Sequence, residues 1–326
     1  MNDTPIVITM GDPSGVGAEV IVKAFAELSP DARARYTVIG DRDTLERART
    51  ACDVTLPITD PEGREEGGLS VLHVPVDGLP GKFGVLSEAC GEACYQYIKK
   101  AVEMTMDGAA AGIVTAPINK AALNAAGHHY DGHTGLLAHL SGSKSSWMLL
   151  ASPTLNVIHV STHVSLKDAI TERATPDRIY QTIVTGHRHM QRMGIESPRI
   201  AVAGINPHCG EGGLFGNEDD LQVTPGVERA QAEGINVVGP IPADTAYYRA
   251  HSGDFDLMVA QYHDQGHIPV KLIAFDTAIN CSLGLPIDRC SVDHGTAFDL
   301  AGTGRAKHVN MLAALDYGRK LAASRG

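Results

Sequence analysis

Features that would mark a membrane, secreted or nucleic-acid-binding protein are scarce in this chain of 326 residues. It contains no stretch of about 20 uninterrupted apolar residues, the length a helix needs to span a bilayer. The opening MNDTPIVITMGDPSG has no basic segment and only a short apolar run, so neither secretion nor membrane insertion is expected. Its six cysteines, Cys52, Cys90, Cys94, Cys209, Cys281 and Cys290, form no CxxC pair and no small disulfide framework. Free thiols in a reducing, cytoplasmic compartment are therefore expected. Positive charge is in deficit: 27 Lys and Arg stand against 38 Asp and Glu, a formal net charge of −11. Nucleic acids are held through clustered Lys and Arg, so this balance argues against such a partner. A protein of this charge that binds small anions must concentrate positive groups locally, through metal ions, a few Lys and Arg side chains, or helix N-termini. Internal repeats, low-complexity tracts and long Pro/Ser-rich linkers are absent too.

What is present is an ordinary globular composition, 43% hydrophobic and 20% charged, long enough for two lobes. Short apolar runs alternate with segments of helical period, the pattern of an α/β protein with covered sheet faces. PIVITM (5–10), YTVIG (36–40), AGIVTAP (111–117), LNVIHVST (155–162), PRIAVAGINP (198–207) and DLMVAQYH (256–263) read as strands. PDRIYQTIVTGHRHMQRMG and TPGVERAQAEG read as helices, each closed by a glycine C-cap signal. With no linker in view, a second lobe is expected to form from chain that leaves one domain and returns to it. This places one lobe at 1–130 with 272–326 and the other at 131–271.

In open α/β sheets ligands bind outside the carboxyl ends of the strands, and the unusual polar segments fall there. After the first run comes GDPSGVG, which matches neither GxGxxG nor the Walker pattern. It reads either as a turn with amides exposed to a ligand or as a tight turn whose glycines relieve backbone crowding. His163 in VSTHVSL, His208 in INPHCGEGG and His263 in AQYHDQG each follow an expected strand, so three sequence-distant imidazoles can meet at one sheet edge. Neutral imidazole suits Zn, Ni and Co, and three ligands leave a position open for substrate. A lone histidine in such a loop is more often a hydrogen-bonding residue. His128, His129 and His139 are weaker candidates, and His187 and His189 are expected on a solvent-facing helix surface. Near the C-terminus, Lys271, Asn280 and Arg289 offer donors for carboxylate or phosphate, with surface ion pairs as the bland alternative for the two cations. HGTAFDLAGTG then supplies a glycine-rich loop.

The ordered set GDPSGVG, TAPINK, GHTG, STHVSL, NPHCGEGG, PADT, YHDQG, GLPIDR and SVDHGTAFDLAG, from about residue 6 to residue 305, resembles the 4-hydroxythreonine-4-phosphate dehydrogenase family. GDPSGVGAEV and HGTAFDLAGTGRA are also similar to segments of isocitrate and isopropylmalate dehydrogenases. The resemblance implies their two-lobed α/β/α fold rather than a Rossmann domain. It implies an NAD-dependent dehydrogenase, with NADP as the alternative, that oxidises and decarboxylates a 4-phosphorylated 3-hydroxy acid. One divalent metal (Zn, Co, Ni, Mn or Mg) is implied at a homodimer interface with shared active sites, bound by His163, His208 and His263. Substrate contacts fall to His133, Thr134, Lys271, Asn280 and Arg289. Asp244 and Asp264 match positions near the substrate, with Asp264 and Lys271 both open as the proton acceptor. His294, Gly295, Thr296 and Ala297 are expected to border the adenosine of NAD. YHDQGHIPVKL and ITMGDPSG look closer to the branch that oxidises 4-phospho-D-threonate or 4-phospho-D-erythronate than to the vitamin B6 branch. A cis-dihydrodiol dehydrogenase of the same family and a metal-dependent hydrolase without NAD rank behind these. So does a non-catalytic binding protein for phosphorylated acids.

Overall fold

The structure, a computed structural model, describes residues 4–324. Strands follow in chain order as β1 (Ile6–Thr9), β2 (Tyr36–Gly40), β3 (Ile58–Thr59), β4 (Leu69–His73), β5 (Gly112–Thr115), β6 (Trp147–Ala151), β7 (Val157–His159), β8 (Ile200–Ala203), β9 (Val237–Ile241), β10 (Leu257–Ala260), β11 (Ile279–Leu283) and β12 (Arg289–Val292). All six strand runs expected from the sequence form, each shorter than its apolar run by a residue or more at the ends except β2. The chain divides into two compact units, Met1–Ser146 with Leu285–Gly326 and Trp147–Gly284. The division is discontinuous, and its exchange points lie further along the chain than 130 and 272. The helix His133–Leu140 stays in the first unit, with Leu136 and Leu137 fully buried.

In the first unit the strand order is β3-β4-β2-β1-β5-β12, with every pair parallel. A parallel sheet is covered on both faces, so its strands read as unbroken apolar runs. Val7 and Ile8 of β1, Val38 and Ile39 of β2 and Val114 of β5 are fully buried, each worth about 1.5–3 kcal/mol against exposure. In the second unit the order is β11-β6-β7-β10-β8-β9. There β7, β10, β8 and β9 are parallel, and β6 runs antiparallel to both β7 and β11. The carboxyl ends of β7, β8, β9 and β10 therefore lie along one edge.

Both expected helices form, as Pro176–Arg192 and Thr224–Ala232. Each ends in a left-handed glycine, Gly194 (φ 96°) and Gly234 (φ 82°). Gly194 N–H donates to Gln191 O and Ile195 N–H to Met190 O, and Gly234 and Ile235 repeat the pattern with Gln231 and Ala230. Carbonyls that the helix leaves unpaired are thereby satisfied. His189 departs from expectation, being 4% exposed. It shares the buried stripe of Ile179, Thr182, Ile183 and Gly186, where a Cβ on Gly186 would lie 2.5 Å from Leu257 Cδ2.

Candidate functional site

At the carboxyl edge of the first unit, GDPSGVG resolves as the tight turn, with its residues buried. Asp12 N–H donates to Pro117 O, Gly15 N–H to Asp12 O, Val16 N–H to Thr296 O and Ser14 N–H to Asp12 Oδ1, so these amides are not open to a ligand. Gly11 (φ 75°) is required, because a Cβ there would lie 2.2 Å from Pro117 O. Asp12 is fully buried, its Oδ2 has no hydrogen-bond partner, and burial pushes its pKa up to about 6. Two charged residues of the following helix, Gly17–Glu27, hold the glycine-rich segment near the C-terminus. Buried Glu19 accepts from Gly302 and Ala306 amides at 3.1 and 2.8 Å, and Lys23 Nζ donates to Gly304 and Ala306 carbonyls. Sequence reasoning missed both residues.

The segment expected to border a dinucleotide packs on this turn. A Cβ on Gly15 would lie 3.0 Å from Thr296 Cβ, and Ala297 takes a left-handed φ of 40°. His294 Nδ1 lies 3.0 Å from Gly295 O, so it carries the proton and donates. Its Nε2 is left as a buried acceptor without a partner. In the same unit, the adjacent strands β5 and β12 carry Thr115 and Arg289. Buried Arg289 donates from Nε and Nη2 to Thr115 Oγ1 at 3.2 and 2.6 Å. His133 keeps a buried Nε2 without a partner. Burial first and the Arg289 guanidinium second hold His133 well below the usual imidazole range. It is a neutral ring with a lone pair to offer. Thr134 follows it in the first turn of helix His133–Leu140.

In the second unit the three expected histidines all follow parallel strands. His163 lies beyond β7, His208 beyond β8 and His263 beyond β10, opening helix His263–Ala274. Asp244, beyond β9, lies in the first turn of helix Ala243–His251. The rings of His163 and His263 have centroids 5.9 Å apart. His263 Nδ1 lies 2.7 Å from Asp264 Oδ1, so Nδ1–H donates and Nε2 keeps its lone pair, the arrangement a metal-ligating histidine adopts. His208 stands on a strained turn, with φ of 52° at His208, 54° at Cys209 and 46° at Glu211. Each costs roughly 1–2 kcal/mol for a non-glycine residue. Anchors at its base hold it there: Asp219 accepts from the Ile205 and Asn206 amides at 2.7 and 2.9 Å, and Glu218 accepts from Asn206 Nδ2. Burial, with Asp219 and Asp244 adding, pushes the Cys209 thiol up to about 11. Among the described residues no three His, Cys, Asp or Glu side chains converge closely enough to hold a metal ion. The donor chemistry suits a divalent cation, and one chain brings His163 and His263 together without His208.

Two further imidazoles belong to this edge and were not read from the sequence. His267 stacks on His263, with centroids 3.6 Å apart and planes at 12°. His159 Nδ1 lies 3.2 Å from Met148 O and so donates, leaving Nε2 to accept from His267 Nδ1 at 3.1 Å. His267 Nδ1 also lies 3.0 Å from His263 O. Burial first, and neighbouring imidazoles next, push His159 down to about 3 and His267 down to about 4. Gly266 is what lets them meet, because a Cβ there would lie 2.2 Å from His159 Nε2. His159–His163 and His263–His267 are both H-x3-H, but only the second pair lies on a helix, where that spacing puts side chains on one face. Lys271 lies one further turn along the same helix, near enough to His267 to depress it. Asn280 is half-buried in β11, opposite Leu150.

Among the described residues no helix is long and apolar enough to cross a membrane, and no disulfide forms, with Cys90, Cys94, Cys281 and Cys290 buried. Residues 32–318 match the family model of the pyridoxal phosphate biosynthetic protein PdxA. The chain is 47% identical to a D-threonate 4-phosphate dehydrogenase of Cupriavidus necator, over 98% of each. It superposes with TM-score 0.88 on a 4-hydroxythreonine-4-phosphate dehydrogenase from Klebsiella pneumoniae, 40% identical and covering 98% of both chains. A β-decarboxylating dehydrogenase from Thermococcus kodakarensis shares the fold at TM-score 0.51 and 11% identity.

Proposed function

The chain belongs to the family of the pyridoxal phosphate biosynthetic protein PdxA and is an oxidoreductase; on that premise we propose that it oxidises and decarboxylates a 4-phosphorylated 3-hydroxy acid. D-threonate 4-phosphate and 4-hydroxythreonine 4-phosphate are the two substrates to test, since relatives along the whole chain bear those names. What supports the reading is the placement of His163, His208, His263 and Asp244 after four parallel strands of one sheet, the edge where α/β enzymes bind ligands. A divalent metal held by His163, His208 and His263 would supply Lewis acidity, and NAD, or NADP, would supply the hydride acceptor. Asp264 holds the His263 ring so that Nε2 faces away from its own hydrogen bond. Lys271 and Asp264, on the same helix, are the two groups to take the alcohol's proton, and Asp244 lies near the substrate. Oxidation at C3 yields a 3-keto acid, whose carboxylate leaves as CO2. Arg289, Asn280, His133 and Thr134 bind the anionic and hydroxyl groups of the substrate. His294 Nε2, an acceptor without a partner, fits the adenosine, which Gly295, Thr296 and Ala297 border.

The working form in this reading is a homodimer in which His208 and His263 come from different subunits. Helix His263–Ala274 supports it by exposing Ile268, Leu272 and, at its C-cap, Phe275, at 62%, 84% and 72%. These residues stand at i, i+4 and i+7, one apolar stripe left to solvent on a single chain. The test is reduced-dinucleotide formation by the purified protein on both phosphorylated acids, with and without a chelator. Turnover that a chelator abolishes is expected; failure on both acids with either dinucleotide rejects the reading.

A further inference from the structure

Residues 293–308 connect β12 to the helix Val309–Ala323 and form neither strand nor helix. Two of their glycines are left-handed, Gly302 at φ 79° and Gly304 at φ 72°. Left to itself such a stretch samples many conformations, and fixing it costs conformational entropy. Two side chains of the helix Gly17–Glu27 fix it. Glu19 and Lys23 stand at i and i+4, on one helix face. Glu19 Oε2 accepts from the Gly302 amide at 3.1 Å and its Oε1 from the Ala306 amide at 2.8 Å. Lys23 Nζ donates to the Gly304 carbonyl at 2.9 Å and to the Ala306 carbonyl at 2.7 Å. Glu19 is fully buried, where a carboxylate is tolerated because donors meet both of its oxygens. One acid and one base, a single turn apart, thus take both kinds of backbone group from the same short stretch of loop.

The other arm of the loop, residues 294–297, borders the dinucleotide in the proposed dehydrogenase. That arm is held at fewer points: the Asp293 amide donates to Asn310 Oδ1 at 2.7 Å and the Val16 amide to Thr296 O at 3.0 Å. Between the arms, the Leu300 and Ala301 amides both donate to Ala297 O, at 2.9 and 3.1 Å. They tie the left-handed Ala297, at φ 40°, to the stretch that Glu19 and Lys23 hold. On this arm His294 Nε2 is a buried acceptor without a partner, a group that a bound ligand can satisfy. A clamp on residues 302–306 therefore sets the shape of the arm that meets the ligand. The loop is ordered during folding rather than on binding, and a preformed loop binds more tightly than one that must be ordered by its ligand.

We propose that Glu19 and Lys23 are positioning residues for dinucleotide binding, holding residues 302–306 so that residues 294–297 meet the cofactor already shaped. The proposal rests on the dehydrogenase function, and the experiment keeps the two apart. NADH and NADPH are titrated into the intact protein and followed by their own fluorescence, for the native chain and for Glu19→Gln, Lys23→Met and Lys23→Arg. Glu19→Gln keeps the size of the side chain but turns an NH2 toward one of the two amides. Lys23→Met keeps the stem and leaves both carbonyls without the ammonium. The dinucleotide Kd is expected to rise at least about fivefold in each, and to return to within about twofold of native in Lys23→Arg. KM for the phosphorylated acid, measured at saturating dinucleotide, is expected to change by less than about twofold. Acid KM and dinucleotide Kd rising together would make the clamp general scaffold and overturn the proposal, as would native Kd in both folded variants. A native chain that binds neither dinucleotide rejects the dehydrogenase reading and the proposal with it, whereas native binding unaltered by the substitutions overturns the proposal alone. If Glu19→Gln does not fold, Lys23→Met against Lys23→Arg decides.

Discussion

Asp12 should make the folded protein lose stability as pH rises through the mildly acidic range, opposite to the usual behaviour of a carboxylate. The residue is fully buried in the first turn, and burial raises its pKa from 3.8 to about 6. At about 1.4 kcal/mol for each tenfold in proton affinity, this amounts to roughly 3 kcal/mol. The folded chain then holds a proton that the unfolded chain has released. The contribution is fully present below about 3.8 and is lost as pH climbs through about 6. Asp12→Asn keeps an oxygen for the Ser14 amide, which now donates to Oδ1 at 2.8 Å, and removes the titrating charge. Expected at pH 7.5 is a variant more stable than the native chain by about 1–3 kcal/mol. The gain should shrink toward zero near pH 4.5. Urea unfolding of both proteins at the two pH values measures the difference. A gain that is the same at both, or a loss that deepens with pH, would refute the assignment of a protonated carboxyl.

Three other outcomes follow from the two sheet edges. Gly266→Ala forces a Cβ into His159 Nε2 and should destabilise the fold by about 1–3 kcal/mol, read as a lowered denaturant midpoint with the slope unchanged. Arg289→Ala removes a charge-assisted anchor worth roughly 1.5–3 kcal/mol; kcat/KM on a phosphorylated acid should fall at least about tenfold, with circular dichroism checking that the chain stays folded. Because His163 and His263 adjoin in one chain, mixing inactive His208→Ala with inactive His263→Ala should regain activity through hybrid dimers. No recovery after subunit exchange would count against a shared site.

The strands that were legible in the sequence are those whose burial leaves an apolar run: β1, β2, β5, β7, β8 and β10. Those that were not are short or carry polar residues for local reasons. β12 is RCSV, with Arg289 turned to Thr115, and β11 is INCSL, with Asn280 half-buried. The sequence reading gave neither segment a strand and took from them only the anchors Asn280 and Arg289. β6, WMLLA, is as apolar as any strand, but it runs antiparallel to its neighbours and broke the expected βαβ rhythm. At the site, His163, His208 and His263 were legible because each follows a strand. His159 and His267 were not, because one ends a strand and the other hides inside a helix, and their pairing depends on a tertiary contact that Gly266 permits. Glu19 reads as an ordinary helix-surface acid until the glycine-rich segment it holds is placed beside it.

Local rules broken without local compensation separate two glycine-rich segments that look alike in sequence, and the proposed ligand-binding residues lie where the rules are broken. GDPSGVG is used almost wholly within the fold: its left-handed Gly11 answers the Pro117 carbonyl, the amides of Asp12, Ser14, Gly15 and Val16 are bonded, and Asp12 Oδ2, on a carboxyl whose pKa burial raises, is left without a partner. It is scaffold, and it positions what packs on it. Around NPHCGEGG, by contrast, His208, Cys209 and Glu211 sit in a conformation that glycine alone enters freely, held by carboxylates at the base of the turn. His133 and His294 each keep a buried ring nitrogen without a partner, an unsatisfied acceptor that costs about 1–3 kcal/mol. Folding alone gives no reason to keep these strained and unsatisfied groups. A ligand that hydrogen-bonds to them does, because it returns on binding what the empty fold gives up.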